Sequence, residues 1–459
     1  MTEHAAATDP YSYHAADIQE PPQSIAGALR RIGPGMLLTA SIVGSGELIA
    51  TTRLGADVGY VMLWAIILSC LSKTIVQAVW GRYTIATGET GLAALNHVPG
   101  PRLLNLNWVV WAWALMIALA LTISGAIYAG VAQVLVRVVP SVPIGVWVVA
   151  LSAITLAVLI GGSYRRVEFL AVWMVAVFSL MTVFAAAVLT SQPQYFTWAQ
   201  VREGLDFGLP EQGLVIAVAV FGITGVNSGE LSAYPYWCVE KGYARFTGPR
   251  EDSEAWRRRA RGWIRVMHYD IFVSMLVYTL TTVAFYFLGA GVLHTLGQVP
   301  KGNEMIQVLS SMYTETLGAF GLYLFYVGAV AVLYSTVFAA TAANSRILAD
   351  MVRLMGRFEP GDYAARLRYQ NLFVAVLALT PCLVYFGMGE PVQMVKIGGL
   401  VLAVMLPVIA AAMVYLRHRR LPQEVAPGRL ATAALWLVAG LIVVTMTGYA
   451  LVQLGLIRA

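Results

Sequence analysis

Two short stretches carry most of the chemistry this chain could perform. VGSGELIA at 43–50 and VNSGELSA at 226–233 agree at six of eight positions. Each sets a carboxylate, Glu47 or Glu230, directly after a Gly-Ser-Gly or Asn-Ser-Gly triplet, inside an otherwise apolar run. Glycine lowers helix propensity by about 1 kcal/mol, and Ser or Asn offers the backbone local bonds in place of the helical ones. Gly44, Ser45 and Gly46, and likewise Asn227, Ser228 and Gly229, therefore predict helices broken in mid-span. Unwound backbone at membrane depth is tolerated only where protein or a water-filled cavity satisfies it. A carboxylate there costs a further ~3 kcal/mol or more and marks an ion or substrate path. Small residues also serve close helix packing. Packing does not ask for the same glutamate twice, so a binding site is the reading taken here.

The rest of the chain supplies what must hold these segments. Of its 459 residues, 59% are hydrophobic and only 12% charged, with a mean hydropathy of +0.71. Apolar runs recur that are long enough to cross about 30 Å of hydrocarbon as helices of roughly 20 residues. We place eleven spans at 33–56, 58–79, 105–137, 143–162, 166–190, 208–237, 263–290, 315–348, 367–387, 391–415 and 431–456. With the N-terminus inside, only Arg53, Arg137, Arg202, Lys301, Arg458 and the intra-span Lys396 escape the cytoplasmic side, leaving 24 of the 30 Lys and Arg there, Lys73 among them. That asymmetry predicts an N-in, C-out multi-pass protein, at home in a bacterial plasma membrane. The arginine-rich 245–265 stretch follows from this topology, and no nucleic-acid partner is expected. Residues 1–30 read as a loose cytoplasmic tail, 31–415 as the core, and 416–459 as a cytoplasmic loop with the eleventh helix. Cys70, Cys238 and Cys382 share no metal-ligand spacing and read as packing residues.

An odd number of spans, five, separates the two phrases. The units they open, about 31–190 and 208–415, must then run oppositely through the bilayer. An all-α, five-plus-five inverted repeat with discontinuous first helices places a substrate site where the two breaks meet, near the midplane.

The stretch GPGMLLTASIVGSGELIATTRLGADVGY at 33–60 resembles the first helix of Nramp divalent-metal transporters, and TGETGLAAL at 87–95 resembles that family's TGKDLAE segment. The resemblance covers the layout of the whole chain and is specific around the first two helices. It implies the LeuT-like fold and a divalent-metal cargo. The departures bear on the site. Where the family carries Asp-Pro-Gly-Asn, this chain has Gly44, Ser45, Gly46 and Glu47. The sixth-helix Met-Pro-His-Asn motif is absent, and the third span around LTISGAIYAGVAQVL lacks the acids tied to proton coupling.

Several cargoes fit such a rebuilt site. Glu47 and Glu230 with Ser45, Asn227, Ser228 and unwound carbonyls make an all-oxygen set suited to a hard divalent cation such as Mn²⁺ or Mg²⁺. The GSG break also resembles that of amino-acid transporters of the wider superfamily. There, freed N–H groups hold a substrate carboxylate, and the glutamates would meet an amine, a proton or Na⁺; Lys396 could partner the anion, with snorkelling to the outer interface its preferred role. A receptor on the same fold is a third reading. Ser335 and Thr336 in the eighth span could bind a coupling ion, with helix packing the preferred role. His268 and Asp270 read as solvated interface residues, and Tyr234, Tyr236 and Trp237 as an interfacial belt. No HExxH, Walker or Ser/His/Asp pattern points to an enzyme or a resident cofactor, so uphill transport must draw on an ion gradient or the membrane potential. The expectation is a transporter carrying a divalent metal inward, without proton coupling. Nothing in the chain fixes an oligomeric state.

Overall fold

The computed structural model describes residues 9–160, 164–210, 221, 224–300 and 304–453. Within them every expected span has a helical counterpart. The first is Pro34–Ile42, continued by a π-helical segment Val43–Thr51 and the helix Thr52–Val58. The next four are Leu63–Thr87, Trp108–Val138, the shorter Ile144–Leu159 and Tyr164–Leu189. Of the sixth span, Ser228–Lys241 is helical, while 211–220 and 222–223 lie outside the described residues. Glu254–Leu288, Ala319–Leu354, Tyr363–Met388, Pro391–Arg419 and Arg429–Gln453 complete the set. Large apolar side chains such as Phe169, Leu180, Phe272, Phe320, Leu383 and Leu437 face outward. A soluble protein would not carry such a belt; lipid covers it.

One face is tied down by ions and by the N-terminal segment. Arg346 pairs with Glu240 at 2.8 Å, both buried. Asp350 accepts from Arg353, Arg366, Tyr236 and Thr90, joining the loop after the second span to the sixth, eighth and ninth. Residues 9–24 are not loose, as expected, but lie packed across this face. The Tyr11 hydroxyl donates to Glu240 at 3.0 Å, and the Arg366 guanidinium stacks 3.8 Å from the Tyr11 ring. The Gln19 N–H donates to the Phe246 carbonyl, and the Trp263 indole donates to the Gln19 carbonyl. Glu20 pairs with Arg258 at 3.0 Å. Polar tail residues stay put here because helix ends on this face present unpaired groups for them to satisfy.

Candidate substrate site

The first break follows from Gly44, whose ψ of −105° no helix sustains. The halves Pro34–Ile42 and Gly46–Val58 meet at 41°. Glycine is needed there for space as well. A Cβ on Gly44 would lie 1.6 Å from the Thr336 hydroxyl. The Ala40 carbonyl, left without its helical partner by the break, accepts from Ser335 at 3.1 Å and more distantly from Thr336. Both hydroxyls thus bond to the broken first helix.

The second break is built by a cap. The Asn227 side chain accepts from the N–H groups of Gly229 and Glu230, and the Glu230 carboxylate returns to the Asn227 N–H at 3.1 Å. This capping box starts a helix in mid-membrane and meets the orphan donors of its first turn. Upstream, Gly225 has a φ of +68°, and a Cβ on it would crowd Cys70.

The two breaks meet, as the repeated phrase predicts. Ser41, at the end of the first half-helix, donates to the other oxygen of Glu230 at 2.9 Å. Between them lies a cavity of about 90 Å³ walled by the first, third, sixth, eighth and tenth spans. Its polar lining is Ser41, Ser124, Asn227, Glu230, Thr336 and Asn344, and the remaining walls are apolar or glycine. Glu230 is the sole ionisable side chain among these lining residues.

The expected site residues divide. Gly46, Asn227, Gly229 and Glu230 line the cavity. Gly44 packs against Thr336, and the Ser228 hydroxyl donates to the Leu402 carbonyl at 2.6 Å. Glu47 turns away from the cavity. It is fully buried and accepts from the Gly225 N–H at 3.1 Å and the Thr282 hydroxyl at 3.3 Å. Ser45 falls within the π-helical segment, and its side chain lies outside the described residues. Among the described residues, no three His, Cys, Asp or Glu side chains gather into a metal cluster. A cation here meets one carboxylate and neutral oxygens.

Three expectations drawn from position alone are corrected. Asp270 is not solvated. Its carboxylate is wholly buried and accepts from the N–H groups of Gly33 and Gly35 and from the Tyr234 hydroxyl, capping the first span. Tyr234, Tyr236 and Trp237 are buried rather than interfacial, because their hydroxyls serve Asp270 and Asp350 and the indole lines the cavity. Lys73 is not a cytoplasmic charge but is fully enclosed within the second span. Lys396 is exposed and away from the cavity, in keeping with the snorkelling preferred for it. The three cysteines are free and buried, as their spacing suggests.

A pair of broken helices opening two oppositely inserted halves, around a shared cavity, defines the class: an inverted-repeat membrane transporter of LeuT-like fold, with an eleventh helix outside the repeats. The profile of the natural resistance-associated macrophage protein-like family, Nramp, matches residues 35–453, and the chain belongs to that family. The divalent metal cation transporter MntH of Brucella suis is 23% identical over 385 residues, spanning 83% of this chain and 78% of its own. The structure of an Eremococcus coleocola manganese transporter superposes with a TM-score of 0.66 at 15% identity, covering 95% of this chain and 90% of that one. Mhp1, a nucleobase-cation-symport-1 family transporter, does so at 0.60 and 17% identity over 92% and 91%. At these identities the two structures establish the fold alone.

Proposed function

We propose that this protein is a secondary transporter carrying a divalent metal cation such as Mn²⁺ or Mg²⁺ inward across a bacterial plasma membrane, N-terminus inside, C-terminus outside. The metal is cargo, not a cofactor. Residues 31–415 form the transporting core, with 1–30 and 416–459 appended to it. One observation carries the reading: the Glu230 carboxylate stands in the cavity where both breaks meet and is bonded to each of them. An arriving cation gains the charge of Glu230 and finds Asn227, Ser41 and Asn344 as oxygen donors. With so few ligands it keeps several waters, as Mg²⁺ and Mn²⁺ readily do. Because Glu230 bonds to both broken helices, filling the site biases their relative placement, which is what alternating access requires. The third-span residues facing the cavity are Ile117, Ala120, Leu121, Ile123, Ser124 and Ile127, none of them acidic. Uptake is therefore driven by the membrane potential rather than by protons.

The likeness to the Brucella divalent metal cation transporter MntH supports a metal cargo. The cavity's mostly apolar walls favour a second reading, in which Glu230 binds the ammonium of an organic solute such as an amino acid. Uptake into proteoliposomes separates them. Saturable Mn²⁺ or Mg²⁺ entry, enhanced by an inside-negative potential, is expected. Stabilisation and entry of amino acids alone, with no response to metals, overturns the metal reading.

A further inference from the structure

Lys73 lies midway along Leu63–Thr87, fully enclosed. Its ammonium donates to the carbonyls of Phe221 at 2.8 Å and Thr224 at 2.5 Å. Ser69, one helical turn back, donates to the same two carbonyls at 3.2 and 2.8 Å. These oxygens need outside donors, because Thr224–Val226 is not helical and the next helix starts only at Ser228.

The other end of the same peptide group faces an anion. The Thr224 carbonyl accepts from Lys73, while the N–H it is conjugated with, that of Gly225, donates to Glu47 at 3.1 Å. One peptide unit is thus held between an ammonium at its oxygen and a carboxylate at its nitrogen, with its dipole aligned to both. The positive φ of Gly225 sets this peptide across the helices. Glu47 belongs to the first break, Thr224 and Gly225 to the second, and Lys73 to the span between them in sequence. The second carboxylate oxygen of Glu47 is buried with no protein partner, so a charge on it is offset only across the Thr224–Gly225 peptide, by Lys73.

Two carbonyl oxygens and a hydroxyl at an enclosed point, with a carboxylate one peptide unit away, are donors of the kind that hold a hard metal cation. We propose that Lys73 is a tethered counter-cation. It occupies permanently the place a free monovalent ion would take at the second break, and through the Thr224–Gly225 peptide it balances Glu47 and pins the two breaks together. Two consequences follow. Transport requires neither Na⁺ nor K⁺, and the charges of Lys73 and Glu47 matter as a pair.

Two tests bear on this, one of which rests on the transport reading and one of which does not. In proteoliposomes, replacing Na⁺ and K⁺ by choline leaves wild-type uptake unchanged. Lys73→Ala lowers uptake about a hundredfold, the scale of an unpaired buried charge. Added Na⁺ or ethylammonium, which can enter the vacated shell, restores at least about tenfold of that loss. A Na⁺-dependent wild type, or a folded K73A protein that transports normally or that neither cation revives, overturns the proposal. The second test is the melting temperature of purified protein, independent of any cargo. Lys73→Gln and Glu47→Gln each lower it, and the K73Q/E47Q double variant melts above the weaker single variant, because neither charge is then left alone. Additive losses refute the pairing even if metal transport is established, and they can be read if K73A does not fold.

Discussion

Glu230→Gln is the sharpest perturbation of the cavity. The wild-type carboxylate has two oxygens, one accepting from Ser41 and one from the Asn227 N–H. Glutamine has one acceptor, so one of these bonds is lost at a cost of about 1 kcal/mol. The charge matters far more to a cation. A unit charge about 4 Å from a carboxylate gains about 4 kcal/mol at an effective dielectric near 20. That corresponds to about a thousandfold in Kd per charge. The two effects are read separately. The melting temperature of E230Q in detergent is expected to fall only slightly, while calorimetric titration with doubly charged Mn²⁺ loses at least about three orders of magnitude in affinity. Since Glu230 is the sole ionisable side chain among the described residues lining the cavity, none of the others there can replace it. Mn²⁺ binding by a folded E230Q protein within tenfold of wild type would refute the assignment of the site.

Four other outcomes are expected. Gly44→Ala places a methyl against the Thr336 hydroxyl and its Cβ; uptake should collapse and recover in part in a G44A/T336G double variant, assayed in the same vesicles. Ser335→Ala removes one of two hydroxyls at the Ala40 carbonyl, a loss of about 1 kcal/mol, so a modest fall in melting temperature with near-normal uptake should result. Asp270→Asn leaves a buried N–H facing an amide donor in place of a carboxylate oxygen, which costs about 1–3 kcal/mol; an unchanged melting temperature would argue against the capping role. The Arg258 guanidinium holds the Glu20 carboxyl below its ordinary value of 4.5. Its contribution to tail docking is therefore present above that value and lost only as the pH falls below it. Limited proteolysis of the tail should stay slow at neutral pH and quicken in acid.

Much of this was legible in the sequence. Apolar run length alone placed the spans, because only helices of that length cross a bilayer. The repeated Gly-Ser/Asn-Glu phrase located both breaks and, through Glu230, the cavity. What the letters did not convey is the direction in which each side chain points. In a soluble helix, the contrast between polar and apolar faces sets the rotation. Here lipid and protein interior are both apolar, so that contrast is nearly absent. The π-helical stretch around Glu47 also shifts the residue register past the break, which turned its carboxylate away from the cavity that Glu230 faces. Lys73 and Asp270 were misplaced for a related reason. Ionisable residues near span ends usually reach water, and nothing in their neighbours signals the backbone groups, distant in sequence, that hold them inside. Asn344 shares the eighth span with Ser335 and Thr336, but only the folded chain shows that Asn344 and Thr336 reach the cavity while Ser335 turns to the Ala40 carbonyl.

The segment 9–24 grips the end of the sixth span through Glu240 and Phe246, the seventh through Arg258 and Trp263, and the ninth through Arg366. Any excursion that spreads those helices apart must first peel this strip away, one hydrogen bond and one ring at a time. Loss of the contacts made by residues 9–24 is therefore expected to ease that motion without touching the cargo's path.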